Sequence, residues 1–195
     1  MATKSEIRKS IKAIKSEFEP AMIDFAGDII SYKVMALNEY KEAECLFTYV
    51  DYNKEVRTIT LIKDALKIGK KVAVPKVYSV NVTEEGKTSK YMKFHYISSL
   101  DDLKEGFRGI KEPSEELPVA DIDSDKAIMV MPVVAFDEDK NRVGYGGGVY
   151  DRYLSTHNVI KKIGVAYEEQ KVDKIDDIDS FDIKPDVIIT QKSIY

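Results

Sequence analysis

Short apolar runs alternate along this chain with stretches of helical spacing, and that alternation restricts it to a layered α/β fold. The strongest run is Ala127–Phe136, AIMVMPVVAF. It falls well short of the roughly 20 apolar residues a membrane span needs. It reads instead as a central strand, apolar throughout because both faces of such a strand are covered. Cys45–Val50 reads as a second buried strand, and Ile59–Ile68 as a helix closed by Gly69. Lys71–Val77 reads as a strand with Pro75 near its end. Val77–Val82 and Tyr91–Ile97 alternate around Glu84-Glu85-Gly86-Lys87, the pattern of a hairpin. The stretch from Val149 onward is helical, and Ile163–Tyr167 and Val187–Thr190 are further strands. Strands separated by helices form a mainly parallel sheet, and ligands of such sheets lie beyond the carboxyl ends of the strands.

The chain opens on helices. Thr3-Lys4-Ser5-Glu6 has the hydroxyl and the glutamate of a capping box. Ile7, Ile11, Ile14 and Phe18 then repeat at helical spacing, so the first helix begins near Lys4. Lys4 and Arg8 are four apart and share a face beside that stripe. A second helix follows Pro20, with Met22, Phe25, Ile29 and Leu37 among its inward residues.

With 195 residues, 44% of them hydrophobic and 33% charged, the expectation is one globular domain over residues 1–195. The net charge of −4 argues against a duplex nucleic-acid partner. The single cysteine, Cys45, excludes an intrachain disulfide and suits a reducing compartment. No signal-peptide pattern opens the chain, and the sequon Asn81-Val82-Thr83 stands without other marks of secretion. The expectation is therefore a cytoplasmic protein, monomeric, without a membrane or nucleic-acid partner. The acidic stretch Asp173–Asp182 reads as a solvated loop.

Gly144, Gly146, Gly147 and Gly148 lie directly after a strand and before a helix. Glycines there allow unusual backbone angles and a close ligand. A helix start offers unpaired N–H groups to an anion, and Arg142 and Arg152 add charges suited to phosphate oxygens. The segment is neither of the common nucleotide motifs. GxGxxG fails at Val149 or Asp151, and no Gly-Lys-Ser/Thr follows the loop. Asp137–Asn141 begins like a calcium loop but has Arg142 where glycine is required and Gly148 at the twelfth position. His95 and His157 lack partners for a zinc site or a triad and read as structural or solvated. Glu55 follows the first strand and belongs by position to the ligand-facing rim. Met92 and Phe94 alternate on a strand and read as core.

Asn141-Arg142-Val143-Gly144-Tyr145-Gly146-Gly147-Gly148-Val149-Tyr150-Asp151-Arg152-Tyr153-Leu154 closely resembles the signature of the 5-formyltetrahydrofolate cyclo-ligase family. Lys4–Arg8, Glu55–Thr58, Gly69–Val77, Gly109–Pro113, Pro132–Asp137, Gly164–Tyr167 with Gln170, and Asp182–Asp186 resemble further family segments in the same order. The resemblance implies a three-layer α/β/α, Rossmann-like fold with a mainly parallel sheet and a small β-hairpin. It also implies ATP- and Mg2+-dependent cyclisation of 5-formyltetrahydrofolate to 5,10-methenyltetrahydrofolate, releasing ADP and phosphate. Carried over by position, Lys4, Arg8 and Arg142 through Tyr150 (Arg142, Val143, Gly144, Tyr145, Gly146, Gly147, Gly148, Val149, Tyr150) face ATP. Val50, Glu55 and Tyr145–Val149 face the folate, and Asp151 and Asp186 hold Mg2+. Arg152 is added as a catalytic charge stabiliser. Where the family usually has two tyrosines this chain has Val149-Tyr150, and Asp51–Lys54 lacks its usual proline turn. A non-catalytic binder and a different phosphoryl-transfer enzyme stand as alternatives.

Overall fold

The computed structural model describes residues 2–81, 88–106, 109–120 and 126–195. Helix α1, Lys4–Ser16, starts where the capping box places it. Thr3 accepts from the Glu6 amide, and Glu6 accepts from the Thr3 amide. Ile7 and Ile11 form its buried face. Helix α2 spans Pro20–Ala36, with proline in its first turn, a position that costs no hydrogen bond. Its inward face is Ile23, Ala26, Ile30 and Val34, while Phe25 is 70% exposed and Met22, Ile29 and Leu37 are half-buried. The expected phase is thus corrected by part of a turn. The helix is apolar on nearly every side, so periodicity hardly distinguishes one face from another.

Short α3, Asn38–Glu42, leads into β1, Cys45–Thr48, every residue of which is buried. Helix α4, Ile59–Lys67, ends at Gly69, whose φ of 81° is the left-handed turn expected of a closing glycine. Strand β2, Lys71–Asn81, runs well past Val77 and pairs antiparallel with β3, Thr88–Ile97. The turn expected at Glu84–Lys87 lies outside the described residues. Pro75 falls inside β2, but beyond Ala73, the last residue paired with β1. Its missing N–H therefore removes no bond to a central neighbour. Strands β4, Leu103–Glu105, and β5, Lys111–Pro113, form a small antiparallel pair.

The apolar run at 127–136 is divided. Strand β6, Ala127–Pro132, is central, and β7, Ala135–Phe136, belongs to a separate two-stranded pair with β8, Arg142–Val143. At the break, the Gln170 side-chain amide donates to the carbonyls of Val133 and Val134, both at 2.7 Å. A buried side chain thus replaces a strand neighbour. Helix α5, Val149–Leu154, then β9, Lys161–Val165, and β10, Val187–Ile189, complete the chain.

The main sheet has the order β10-β9-β6-β1-β2-β3, parallel except at β3. Helices α2 and α4 cover one face over Leu46, Val72, Ile128 and Ile163. The other face, with Phe47, Phe94, Met129 and Met131, is covered by Tyr153 and Leu154 of α5. That is the three-layer arrangement. Chain order reverses between β1 and β6, so the crevice for a ligand opens beyond their carboxyl ends. Helix α1 packs there on the β7–β8 pair, through Ile7 and Ile11 against Val134, Ala135 and Val143. No helix among the described residues is long and apolar enough to cross a membrane.

Candidate active site

The cradle is built outward from a buried turn. Asp137 accepts from the backbone and side-chain amides of Asn141 and from the Ile175 amide. This closes the β7–β8 turn, in which Lys140 takes a positive φ of 61°, and it aims Arg142 at α5. Arg142 Nη2 meets Asp151 Oδ1 at 2.5 Å and its Nε donates to the Ile183 carbonyl. Asp151 Oδ1 also accepts from the Ile183 amide. The side chains of Arg142 and Asp151 are 7% and 13% exposed.

The glycine loop follows. Gly146 at φ 91° and Gly148 at φ 59° have backbone angles that suit glycine; the latter is the cap of α5. Arg8 of α1 donates to the Gly144 carbonyl at 2.7 Å. A Cβ on Gly146 would lie 3.4 Å from the Arg8 guanidinium carbon, an ordinary contact, so it is the positive φ that calls for glycine here. Arg152 points elsewhere: its guanidinium donates to the carbonyls of Lys90 on β3 and of Gly147, tying the loop to the β2–β3 hairpin. Val143 and Val50 are core residues, buried at 0% and 8% exposure. Any contact of Val143 with a nucleotide would be through its backbone.

Lys4 is held by the acidic stretch, which is no free loop. Its ammonium lies 2.7 Å from Asp179 and 2.5 Å from Asp182, and its backbone amide donates to Asp177. Burial would lower the Lys4 pKa, but the two carboxylates outweigh it and raise it. Asp182 also lines a small cavity with Asn141, Arg142 and Ile183, so the segment 177–183 reaches both Lys4 and Arg142.

Facing this side is the β1 rim. Glu55 accepts from the Tyr52 amide at 2.8 Å and from the Tyr145 hydroxyl. Burial raises its pKa; the Tyr145 and Tyr52 bonds and Lys15 oppose without reversing the shift. The Tyr167 hydroxyl donates to the Glu55 carbonyl at 2.8 Å, and burial raises the pKa of Tyr150 and Tyr167. Sequence reasoning missed Tyr167, Lys15 and Tyr49, whose buried hydroxyl donates to the Val56 carbonyl, next to Glu55, at 2.7 Å. Tyr49 and Tyr167 each lie just past the carboxyl end of a parallel strand, the one positional signal that could have found them.

Asp186 precedes β10, at the amino end of a parallel strand. Its carboxylate accepts from the Lys162 amide at 2.6 Å and pairs with the Lys162 ammonium at 3.0 Å. It shares no bond with Asp151. Among the described residues no three histidine, cysteine or carboxylate side chains form a metal-sized group. His95 is buried between Tyr78 and the Leu117 carbonyl, and His157 stacks on Tyr153, both structural as expected. Cys45 is buried, which pushes its thiol up to about 12 and leaves it inert at neutral pH.

The whole chain has relatives. The model of the 5-formyltetrahydrofolate cyclo-ligase family matches residues 1–191. A probable 5-formyltetrahydrofolate cyclo-ligase of Schizosaccharomyces pombe is 30% identical over 204 residues, covering 98% of this chain and 96% of that one. The 5-formyltetrahydrofolate cyclo-ligase of Escherichia coli K12 is 26% identical over 197 residues, covering 97% and 98%. The solved structure of Aquifex aeolicus 5,10-methenyltetrahydrofolate synthetase matches with a TM-score of 0.80 at 29% identity, over 98% of this chain and 91% of that one. The glycine loop of this chain stands between paired cations and a half-buried rim carboxylate, and the chain belongs to the 5-formyltetrahydrofolate cyclo-ligase family.

Proposed function

We propose that this chain closes the ring of 5-formyltetrahydrofolate at the expense of ATP, with the α1–β8 side of the cradle on the phosphates and the β1 rim on the folate. As a member of its family the chain is a ligase. The observation that carries the assignment of sides is the Tyr145–Glu55 bond. It joins a residue of the glycine loop to the rim, so one loop borders both ligands.

A formamide carbon is a weak electrophile and its oxygen a poor leaving group. Transfer of the γ-phosphoryl group to that oxygen breaks the bond to ADP and forms a carbon–oxygen–phosphorus linkage. N10 then attacks the carbon, loses its proton, and phosphate departs with the carbon–oxygen bond pair. This chemistry needs alignment and charge neutralisation more than a protein nucleophile. Arg8, Arg142 and the amides of Gly144–Gly148 supply the charge and the donors, with Lys4 once it leaves Asp179 and Asp182. Glu55, Val50, Tyr145 and Tyr167 hold the folate.

Mg2+ takes six oxygens, commonly one or two carboxylates with phosphates and water. Asp151 suits it: both bonds it accepts among the described residues fall on Oδ1. Asp186 would join only by exchanging Lys162 for the cation. Held by Asp151, the ion would supply positive charge to offset the negative charge of the phosphates. Arg152, bonded to two carbonyls, would act by fixing the loop. We further propose that the protein works as a cytoplasmic monomer on small molecules alone.

The test is the near-ultraviolet absorbance of the methenyl product from 5-formyltetrahydrofolate. It should grow with Mg2+ and ATP and stay flat without ATP. A well-folded preparation that gives no product with both present overturns the reading.

A further inference from the structure

Two buried polar atoms have no hydrogen-bond partner among the described residues, Asn141 Oδ1 and the Tyr150 hydroxyl. Buried polar groups are nearly always satisfied, so each exception needs a reason. The two are unlike. Asn141 is fixed by its backbone and side-chain amides, both on Asp137. Tyr150 has only its hydroxyl, on a ring packed against an apolar cluster that includes Phe94, Met129 and Tyr153. A phenylalanine would fill the same space, so packing gives no reason for the oxygen.

Its place does. Tyr150 is the second residue of α5, between Tyr145, bonded to Glu55, and Asp151, bonded to Arg142. Its hydroxyl senses both charges. Burial raises its pKa, Glu55 adds to this and Arg142 opposes it, so at neutral pH it is an uncharged O–H donor. A donor without an acceptor therefore stands next in sequence to the carboxylate that holds Arg142, within electrostatic reach of both Arg142 and Glu55.

We propose that the Tyr150 hydroxyl donates a hydrogen bond to a non-bridging oxygen of the phosphoryl group as it passes from ATP to the formyl oxygen. This rests on the assignment of the two sides given above. As the phosphorus–oxygen bond to ADP breaks and the bond to the formyl oxygen forms, charge spreads over the three equatorial oxygens. A fixed donor in a water-poor site stabilises that charge without reorganising. Tyr150 keeps its proton throughout, and the acceptor it lacks arrives with the substrates.

The experiment is Tyr150→Phe beside Arg142→Ala, with steady-state kinetics and thermal unfolding of each protein without ligands. Tyr150→Phe should lower kcat by about 10- to 100-fold, a share of what removing one such donor costs elsewhere. Both KM values should stay within threefold, and the melting temperature should hold or rise, because a buried unbonded hydroxyl is gone. A kcat within twofold of the parent overturns the proposal, as does a kcat loss accompanied by a lower melting temperature, which would make the hydroxyl structural. The arginine variant separates the layers. If Arg142→Ala cripples turnover while Tyr150→Phe is silent, the tyrosine proposal alone fails. If both are silent, the assignment of sides fails with it.

Discussion

On the α1–β8 side of the cradle every cation sequence reasoning selected already has a partner within the protein. Lys4 has two carboxylates, Arg142 has Asp151, Arg8 has the Gly144 carbonyl, and Arg152 has two carbonyls. On the β1 rim, the carboxylate of Glu55 has a backbone amide, a tyrosine hydroxyl and burial, with Lys15 near it but no salt bridge. The first side is a set of charges held in place by carboxylates and backbone carbonyls. The second is a group pushed toward its neutral form. Highly charged phosphates suit the one and a largely neutral, flat pteridine suits the other.

The comparison breaks most severely at Arg142. Arg142→Ala leaves Asp151 nearly buried without its cation, a defect of about 3–5 kcal/mol in such pairs. It also removes the central phosphate charge, for which an approximately 100-fold fall in kcat/KM for ATP is expected. Kinetics and thermal unfolding should move together, and either one unchanged contradicts the role given to the pair. The next largest effect belongs to the loop. Gly146→Ala forces a side chain into φ 91°, costing about 1–2 kcal/mol, and sets a methyl group against the Arg8 guanidinium. We expect KM for ATP to rise about tenfold. Gly147→Ala has no such strain, and its Cβ would meet only Val149 at 3.8 Å. An equal loss from both substitutions would mean that the loop responds to bulk and not to its positive angle.

Glu55→Gln tests the other side. It keeps the shape and removes the charge, so kcat/KM for the folate should fall about fivefold, the worth of roughly 1 kcal/mol, with KM for ATP unchanged. Its stability should also report the burial. A carboxyl whose folded pKa is raised favours the folded state below its unfolded value near 4.5, and that support is lost as pH rises through the folded value. Glutamine does not titrate. The melting temperature of Glu55→Gln relative to the parent should therefore climb between pH 5 and pH 8. A difference that is flat or falling over that range would show a Glu55 that is not desolvated.

How far these features could be read from the chain depended on whether the signal was local. The capping box at Thr3–Glu6, the left-handed closure at Gly69 and the glycine start of α5 are set by neighbours within a few residues, and each was legible. The face of α2 was not, because an apolar residue lies on almost every side of it and Phe25 carries no mark of exposure. The break after Pro132 was hidden for the same reason. Val133 and Val134 are both buried, but against different clusters, and a uniform apolar run shows no such change. The tyrosines around Glu55 come from segments up to 112 residues away in sequence, and the acidic stretch meets Lys4 across 175 and 178 residues. Composition made that stretch a solvated loop. Only the fold shows that its charges are committed.

That commitment supplies the smallest effect, and one whose sign is informative. If Asp179 and Asp182 hold Lys4 in place of phosphate, ATP must displace them, and neutralising them should make ATP bind more tightly. The pairs are partly solvated, with Asp179 at 49% and Asp182 at 21% exposure, and such pairs contribute about 0.2–1 kcal/mol. Asp179→Asn with Asp182→Asn should therefore lower KM for ATP by no more than about fivefold, leave KM for the folate unchanged, and weaken the dependence of KM for ATP on salt. A purely structural clamp gives the opposite result. Lys4 would then need its carboxylates to stay in position, and the double variant would bind ATP less tightly while unfolding at a lower temperature. Lys4→Met separates the two further, since it removes the phosphate contact and the clamp at once. Under exchange it should raise KM for ATP in the parent and erase the gain made by the double variant. Under the clamp, its effect and that of the double variant should be the same.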